Sequence, residues 1–353
     1  MNKIIERNNV NFGFNSLKKI NEFVELNNFS RAIVLVDENT KKHCLDHLKG
    51  ISSFEFETIE IHSGETHKHI YTCLNIWEEL SEKGADRNSV LINLGGGVIT
   101  DTGGFVASCY RRGIRFVHIP TSLLAMVDAA LGGKNGVDLN NLKNQIGVIR
   151  LPEMIICDYH FLETLPINEL KSGFAEILKH GLIDSNYDYL KRCLAISDFN
   201  SEHLSSLIQE SILIKLNIVE KDIDETGLRK TLNYGHTLGH AIESYRMSLS
   251  QEKHLLHGEA IAIGLVLESY ISFKMFNFPE SELFNLREFV IKNYDKEPFE
   301  KKEILKIIEL MKYDKKNNAD KVNFVLLKGV GEPRLDCQVE ENLIFEAFEF
   351  YSS

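Results

Sequence analysis

The stretch Ser89-Val-Leu-Ile-Asn-Leu94-Gly95-Gly96-Gly97-Val98-Ile99-Thr100-Asp101 decides the fold. An apolar run of this length, bounded by turn residues, reads as a strand covered on both faces. It runs straight into three glycines, and the glycines open a helix. Glycines at a strand-to-helix turn let an anion approach the backbone, and the free N–H groups of the helix start favour negative charge. A plain tight turn would use the same glycines, and the fingerprint Gly-x-Gly-x-x-Gly is not matched.

Working outward, the same alternation continues on both sides. Upstream, residues 14–28 read as a helix and Ala32-Ile-Val-Leu-Val-Asp37 as a buried strand ending in an acid. Residues 40–49 read as a helix and 54–61 as a period-two strand. The loop Ser63–Lys68 precedes a helix over 70–84, capped by Gly84. Downstream come a strand at 115–119, Pro120-Thr121-Ser122, a helix to Asp128, a loop at Gly132–Gly136 and a strand at Glu153–Asp158. Strands alternating with helices imply a parallel sheet with covering helices. After Leu165-Pro166 the pattern turns helical to about residue 315, then gives a small hairpin at 322–331 and a last helix at 339–351. The expected organisation is an α/β, Rossmann-like domain over residues 1–163 and a mainly α-helical domain over 164–353.

Composition sets the class. The chain has 353 residues, 43% hydrophobic and 26% charged, as in ordinary globular proteins. No apolar run reaches the roughly 20 residues of a membrane span. Met1-Asn-Lys-Ile-Ile-Glu-Arg7 is too polar for a signal peptide. The six cysteines are scattered without a Cys-x-x-Cys pair, so neither disulfides nor a cysteine zinc site is expected, which fits a reducing cytoplasm. A net charge of −11 argues against nucleic acid as a partner. An anionic substrate then needs a local basic cluster.

A second stretch carries chemistry: Asn233-Tyr-Gly-His236-Thr-Leu-Gly-His240. Histidines at i and i+4 share one face of a helix. Gly235 and Gly239 beside them each cost a helix interior roughly 1 kcal/mol, so something must approach that backbone closely. A third histidine stands in Leu256-His257-Gly258-Glu259, and Phe174-Ala-Glu176-Ile-Leu-Lys179 offers an acid on an apolar helix. One carboxylate with imidazoles suits a catalytic zinc-type site. Spacing alone would pair His236 with His240, as in zinc proteases.

Over roughly residues 60–330 the motifs occur in the order found in 3-dehydroquinate synthases, of the sugar phosphate cyclase superfamily, and the chain resembles that family. They are Ser-Gly-Glu-Thr-His-Lys (63–68), Gly-Gly-Gly-Val-Ile-Thr-Asp (95–101), Tyr-Arg-Arg-Gly (110–113), Pro-Thr-Ser-Leu-Leu-Ala-x-Val-Asp (120–128), Gly-Gly-Lys-x-Gly-Val (132–137), Lys-Asn (143–144), Glu-x-x-Lys (176–179), the histidine stretch (233–240), Leu-His-Gly-Glu (256–259) and Asp-Lys-Lys (314–316). The resemblance implies bound and recycled NAD, a divalent metal (zinc or cobalt), a homodimer, a cytoplasmic enzyme and no membrane partner. The reaction it implies converts 3-deoxy-D-arabino-heptulosonate 7-phosphate to 3-dehydroquinate and phosphate.

Residue by residue, the resemblance implies Glu176, His236 and His257 as metal ligands, with His240 on the substrate phosphate and His254 outside the set. Cofactor contacts fall on Ser63, Gly64, Glu65, Thr66, His67, Lys68, Gly95, Gly96, Gly97, Val98, Ile99, Thr100, Asp101, Thr121, Ser122, Lys134 and Lys143. Phe161, Leu162, Glu163 and Thr164 complete them. Asp37, at the end of its strand, is placed to take ribose hydroxyls. The phosphate end of the substrate is assigned to Arg112, Lys134, Asn144, His240 and Lys315 or Lys316, with Arg112 reaching over from the neighbouring subunit. Its carboxylate goes to Lys215 and Arg229, and its ring to Asp128, Lys179 and Asn233. Ser122 and Asn135 stand where the family commonly has threonine.

Three rival readings keep much of this. Cyclases whose substrates lack a carboxylate would not need Lys215 and Arg229 together, whereas an aminodehydroquinate synthase would. An iron-type NAD-dependent alcohol dehydrogenase shares the two-domain plan but would release NADH. A silent metal-binding scaffold would have no use for the complete ligand and basic set.

Overall fold

In the computed structural model, residues 5–7, 9–139, 142–250, 253–314 and 322–353 are described. Lys315 and Lys316 therefore lie outside the described residues. The chain divides into two units, Met1–Pro166 with Asn200–Ile212, and Ile167–Phe199 with Leu213–Ser353.

The first unit contains, in chain order, β1 (Ile5–Arg7), β2 (Val10–Phe12), α1 (Lys19–Asn27), β3 (Ala32–Asp37), α2 (Glu38–His43), α3 (Leu45–Ile51), β4 (Glu57–Ile61), α4 (Ile70–Glu82), β5 (Val90–Gly95), α5 (Gly97–Cys109), β6 (Arg115–Pro120), β7 (Lys134–Leu139), β8 (Leu142–Ile149) and β9 (Met154–Cys157). Seven strands form one sheet in the order β1-β2-β9-β6-β5-β3-β4. All its pairs are parallel except β1 with β2. The chain goes from β3 outward to β4, then returns to place β5 on the other side of β3. Strand order thus reverses between β3 and β5, where open α/β sheets bind ligands beyond the carboxyl ends of the strands. Those ends are Asp37 and Gly95. Ile33, Val34, Leu35, Leu91, Ile92 and Phe116 are fully buried and anchor the pair from within.

Two readings of the sequence change here. The helix expected over 40–49 is interrupted at Cys44, giving α2 and α3. Gly132–Gly136, read as a loop, feeds directly into β7, which pairs antiparallel with β8. Lys134, Asn135, Asp138, Lys143, Asn144 and Gln145 make that hairpin too polar to read as strands. Gly136 and Gly147 face each other in it, and a Cβ on either would come within 2.6 Å of a carbonyl oxygen across the pair.

The second unit contains α6 (Ile167–Ile183), α7 (Tyr187–Leu194), the later part of α8 (Ser201–Lys221), α9 (His236–Met247), α10 (His257–Phe276), α11 (Glu280–Tyr294), α12 (Lys301–Asp314), β10 (Phe324–Leu327), β11 (Pro333–Cys337) and α13 (Glu341–Ser352). The strands form an antiparallel hairpin. From Ala260 to Leu267 every residue of α10 is buried, so this helix is apolar all round and forms the centre of the unit. α6, α9, α11 and α13 pack around it. No helix among the described residues is long and apolar enough to cross a membrane.

Candidate active site

In the first unit, Gly96 caps α5 and Gly97 is its first residue. A Cβ on Gly95 would stand 2.5 Å from the Ile99 side chain, so only glycine lets the chain turn this tightly. A Cβ on Gly96 would stand 3.3 Å from Ser122 Oγ, a milder crowding, and the Thr121 N–H donates to Gly95 O at 3.0 Å. The first N–H groups of α5 have no partner within their own helix. Val98, Ile99 and Thr100 form that first turn. Asp37, at the end of the neighbouring strand, accepts the Thr40 N–H on Oδ1 at 2.8 Å and caps α2.

Beside this turn, loop 63–68 is pinned at both ends. The Ser63 N–H and Oγ both donate to Glu38, Gly64 has φ 97°, and Glu65–His67 forms a 3-10 turn. Lys68 is buried, with Nζ 2.7 Å from Asp101 Oδ2 and 2.7 Å from Asn144 Oδ1. Glu65 Oε1 lies 3.9 Å from Lys68 Nζ and 3.7 Å from Lys143 Nζ. Burial pulls the Lys68 ammonium down, but Asp101 and Glu65 outweigh it and raise it above the usual lysine value. Five residues picked out in the sequence thus meet here. Asp138, not picked out, completes the group by accepting the Asn144 N–H at 2.7 Å, which holds Asn144 in a left-handed conformation, φ 53°.

Lys134 is exposed at the start of β7, and Asn135 after it is buried. Asn135 Nδ2 donates to the carbonyls of Gly133 at 2.9 Å and Arg150 at 2.8 Å, clamping the base of the hairpin. A threonine hydroxyl has one proton and cannot donate to both. Gly104 makes room, since a Cβ there would fall 1.9 Å from Asn135 Oδ1. Ser122 Oγ accepts the Ala125 N–H at 3.3 Å, and Asp128 lies in the π-helical turn that follows. Arg112 is exposed on a turn where it and Arg111 both have positive φ. Phe161 and Leu162 are buried, Glu163 and Thr164 exposed, in a 3-10 turn capped by Asp158.

In the second unit, three packed helices bring the proposed ligands together. A Cβ on Gly258 would lie 1.9 Å from Ser172 O, and one on Gly264 would lie 2.0 Å from Gly235 O. These glycines let α10 approach α6 and the start of α9. Ser172 and Glu176 are one turn apart on α6, so the contact sets His257 beside Glu176. Glu268, fully buried on α10, accepts the N–H groups of Gly235 at 2.8 Å and Leu238 at 3.1 Å, capping α9 where the helix dipole favours an anion. Gly235 itself precedes α9 in a left-handed conformation, φ 79°.

Glu176 Oε1 is 3.5 Å from His236 Nε2 and 3.8 Å from His257 Nε2. It is buried and takes no hydrogen bond. His236 Nδ1 faces the Tyr234 carbonyl at 3.1 Å and His257 Nδ1 faces Glu243 at 3.3 Å. Both partners only accept, so both Nδ1 atoms carry protons, and both Nε2 atoms turn toward Oε1. Donors about 2.1 Å from a tetrahedral ion stand roughly 3.4 Å apart, so the two Glu176–imidazole separations suit a small divalent cation, and His236, His240 and His257 also bring ligand atoms within 4.8 Å of one another. Burial pulls the His257 imidazole down, but Glu243 and Glu176 outweigh it and push it up to about 10: the surroundings favour positive charge. Burial raises the Glu176 carboxyl, and Lys179, paired with its other oxygen, together with the two histidines holds it well below the usual range. The His240 ring lies 5.0 Å from that of His236 and 5.6 Å from that of His257. Asn233, His236 and His240 line a pocket closed by Leu310 and Met311. His254 stands apart, with Nε2 3.3 Å from Leu249 O.

Lys215 and Arg229 are both buried. Arg229 sits in a 3-10 turn, Leu228–Asn233, which Tyr234 and Gly235 separate from α9, so Arg229, Asn233 and His236 share no continuous α-helical face. Asp222 accepts the N–H groups of Thr226, Gly227 and Arg229, folding that turn, and Asn233 Nδ2 donates to Glu225 at 3.0 Å. Asp222, Glu225, Glu243 and Glu268 went unremarked in the sequence. Only Glu243, seven residues after His236, carried a spacing signal.

Residues 58–172 match the family model for the 3-dehydroquinate synthase N-terminal region and residues 173–317 that for the 3-dehydroquinate synthase C-terminal region. A 3-dehydroquinate synthase of Parabacteroides distasonis is 40% identical over 335 residues, 94% of each chain. Among solved structures, a 2-deoxy-scyllo-inosose synthase complexed with carbaglucose-6-phosphate, NAD+ and Co2+ is similar over 99% of each chain, with TM-score 0.83 and 25% identity. A 2-epi-5-epi-valiolone synthase from Streptomyces hygroscopicus, with NAD+ and Zn2+ bound, is similar in fold over 92% of each chain, with TM-score 0.79 and 23% identity.

Proposed function

The chain belongs to the 3-dehydroquinate synthase family, and on that premise we propose how its own residues carry the conversion of 3-deoxy-D-arabino-heptulosonate 7-phosphate to 3-dehydroquinate and phosphate. The reaction oxidises an alcohol, eliminates phosphate, reduces the carbonyl again, opens the ring and closes a carbocycle by an aldol step. The observation that carries the reading is the buried, unbonded Oε1 of Glu176 facing two imidazole nitrogens.

Glu176, His236 and His257 would hold a divalent ion, zinc or cobalt. Such an ion, when bound, supplies Lewis-acid polarisation of the alcohol. NAD held in the first unit would supply the hydride acceptor and donor. Gly95–Gly97 and the first turn of α5 would take its pyrophosphate, and Asp37 a ribose hydroxyl. Lys68 with Asp101 and Asn144 ties loop 63–68 to the β7–β8 hairpin, so two cofactor-contacting segments keep one arrangement.

Lys215 and Arg229 bind the substrate carboxylate. The Arg229 guanidinium presents parallel N–H donors that match a carboxylate's two oxygens. Lys179, charged beside Glu176, and Asn233 orient the ring oxygens, as does Asp128. His240 binds the phosphate end, as do Lys134 and Asn144. Loss of phosphate then needs positioning more than an added base, because the leaving phosphate can take the neighbouring proton. Arg112, exposed on its left-handed turn, serves a neighbouring copy in a homodimer. The scattered cysteines, with no Cys-x-x-Cys pair among them, suit a reducing cytoplasm.

The test is incubation of the purified protein with the heptulosonate phosphate, NAD and zinc or cobalt, following phosphate and the cyclic product. Neither appearing would overturn the reading.

A further inference from the structure

We propose that Glu243 is a positioning residue for the metal centre, holding the His257 imidazole so that Nε2 faces the ion. The inference rests on the metal reading of Glu176, His236 and His257. Glu243 lies on α9, three residues after His240 and seven after His236, so the three side chains share one helix face. It is 5% exposed, and its Oε2 is 3.3 Å from His257 Nδ1.

The two imidazoles of the centre are held in different ways. His236 Nδ1 meets the main-chain carbonyl of Tyr234, which no side-chain substitution removes. His257 Nδ1 meets a carboxylate carried by a neighbouring helix. That carboxylate fixes the tautomer and the ring plane, and its negative charge makes Nε2 the stronger donor. His257 is the first residue of α10, and the His236 and His240 rings lie 5.7 Å and 5.6 Å from its own. Those rings flank it, and Glu243 adds the contact at Nδ1 that fixes its rotation. An ion held here would meet the Glu176 carboxylate directly and the Glu243 carboxylate through the His257 imidazole.

The experiment is chelator competition for Zn2+ and Co2+ on the full chain, comparing native protein with Glu243→Gln, Glu243→Ala and His257→Ala. Carboxylates that orient metal-bound histidines typically contribute roughly 10–100-fold in affinity. Glu243→Ala is expected to weaken Zn2+ and Co2+ by that factor. Glu243→Gln keeps an acceptor for Nδ1–H but loses the charge, so it should fall between Glu243→Ala and the native protein. Both should shift the visible absorption of bound Co2+, a readout that does not depend on turnover. If His257→Ala binds metal as tightly as the native protein, the metal reading itself fails. If His257→Ala loses the metal while both Glu243 variants keep native affinity and an unshifted Co2+ spectrum, the positioning role is overturned. A lowered melting temperature with an unshifted spectrum overturns it too, because that is what a purely structural glutamate would give. Should Glu243→Ala fail to fold, Glu243→Gln decides by the same two measurements.

Discussion

Glu176 has one oxygen against Lys179 and the other turned to two imidazoles without a hydrogen bond. Replacing His257 by alanine should remove one of the three protein ligands, so metal and turnover should be lost together while the fold persists. Replacing His240 should leave the metal bound and lose turnover through the phosphate. Metal analysis of the two variants checks this, and the reverse pattern would exchange the roles of the two histidines. Arg229→Lys keeps a charge but loses the paired donors. The loss should be on the order of 1.5–3 kcal/mol in kcat/KM terms. A substrate analogue without the carboxylate should already be poor and lose little more, so a cycle of two enzymes and two substrates reads the coupling. Coupling near zero would remove Arg229 from the carboxylate. The residues proposed as ligands were named through the family motifs, since spacing alone pairs His236 with His240. The buried Glu268 and the half-buried Asp222 were not legible, because a lone acid gives no sign of which backbone N–H groups it will meet.

Among the elements, the glycines of the histidine stretch have a concrete reason. The close approach they permit comes from α10: Gly264 passes against Gly235 O, and a Cβ on Gly239 would stand 2.8 Å from Ile261 Cδ1. For Gly239 the need for a close neighbour was readable from its cost in a helix, while Gly235 lies outside the helix, where φ 79° itself calls for glycine; the identity of the neighbour depended on tertiary packing. Gly258→Ala puts a methyl 1.9 Å from Ser172 O, a backbone atom, so the helices must part. Overpacking of this kind costs about 1–3 kcal/mol. A denaturant midpoint lowered together with metal affinity is the expected result. The connection from α8 to α9 has its own dependence on pH. Backbone N–H groups of Arg229, Gly227 and Thr226 lower the Asp222 carboxyl from 3.8 to about 2. A depressed carboxyl stabilises the fold above its usual value and loses that contribution as pH falls through the folded one. The protection of those three amides, their exchange relative to an unstructured chain at the same pH, should therefore fall between about pH 4 and pH 2, and Asp222→Asn should abolish that fall. The β7–β8 hairpin was illegible for the opposite reason to the glycines: Val137 and Ile146 reach the core, but most of its other residues serve a polar cluster, so the period-two pattern is absent.

For the molecule as a whole, strand-and-helix alternation up to residue 164 and helical texture after it were enough to give the fold class, because each follows from hydrophobic periodicity. The residues assigned to NAD fall in the first unit and those assigned to the metal in the second. Chemistry that oxidises and then reduces the same carbon leaves NAD unchanged at the end of each cycle, whereas a dehydrogenase on a related fold would release NADH. The decisive measurement follows phosphate and NADH together, with the heptulosonate phosphate in large excess over NAD. The account predicts phosphate far exceeding the NAD present, an absolute requirement for NAD, and no net NADH across many turnovers. NADH accumulating in step with substrate consumed would contradict it.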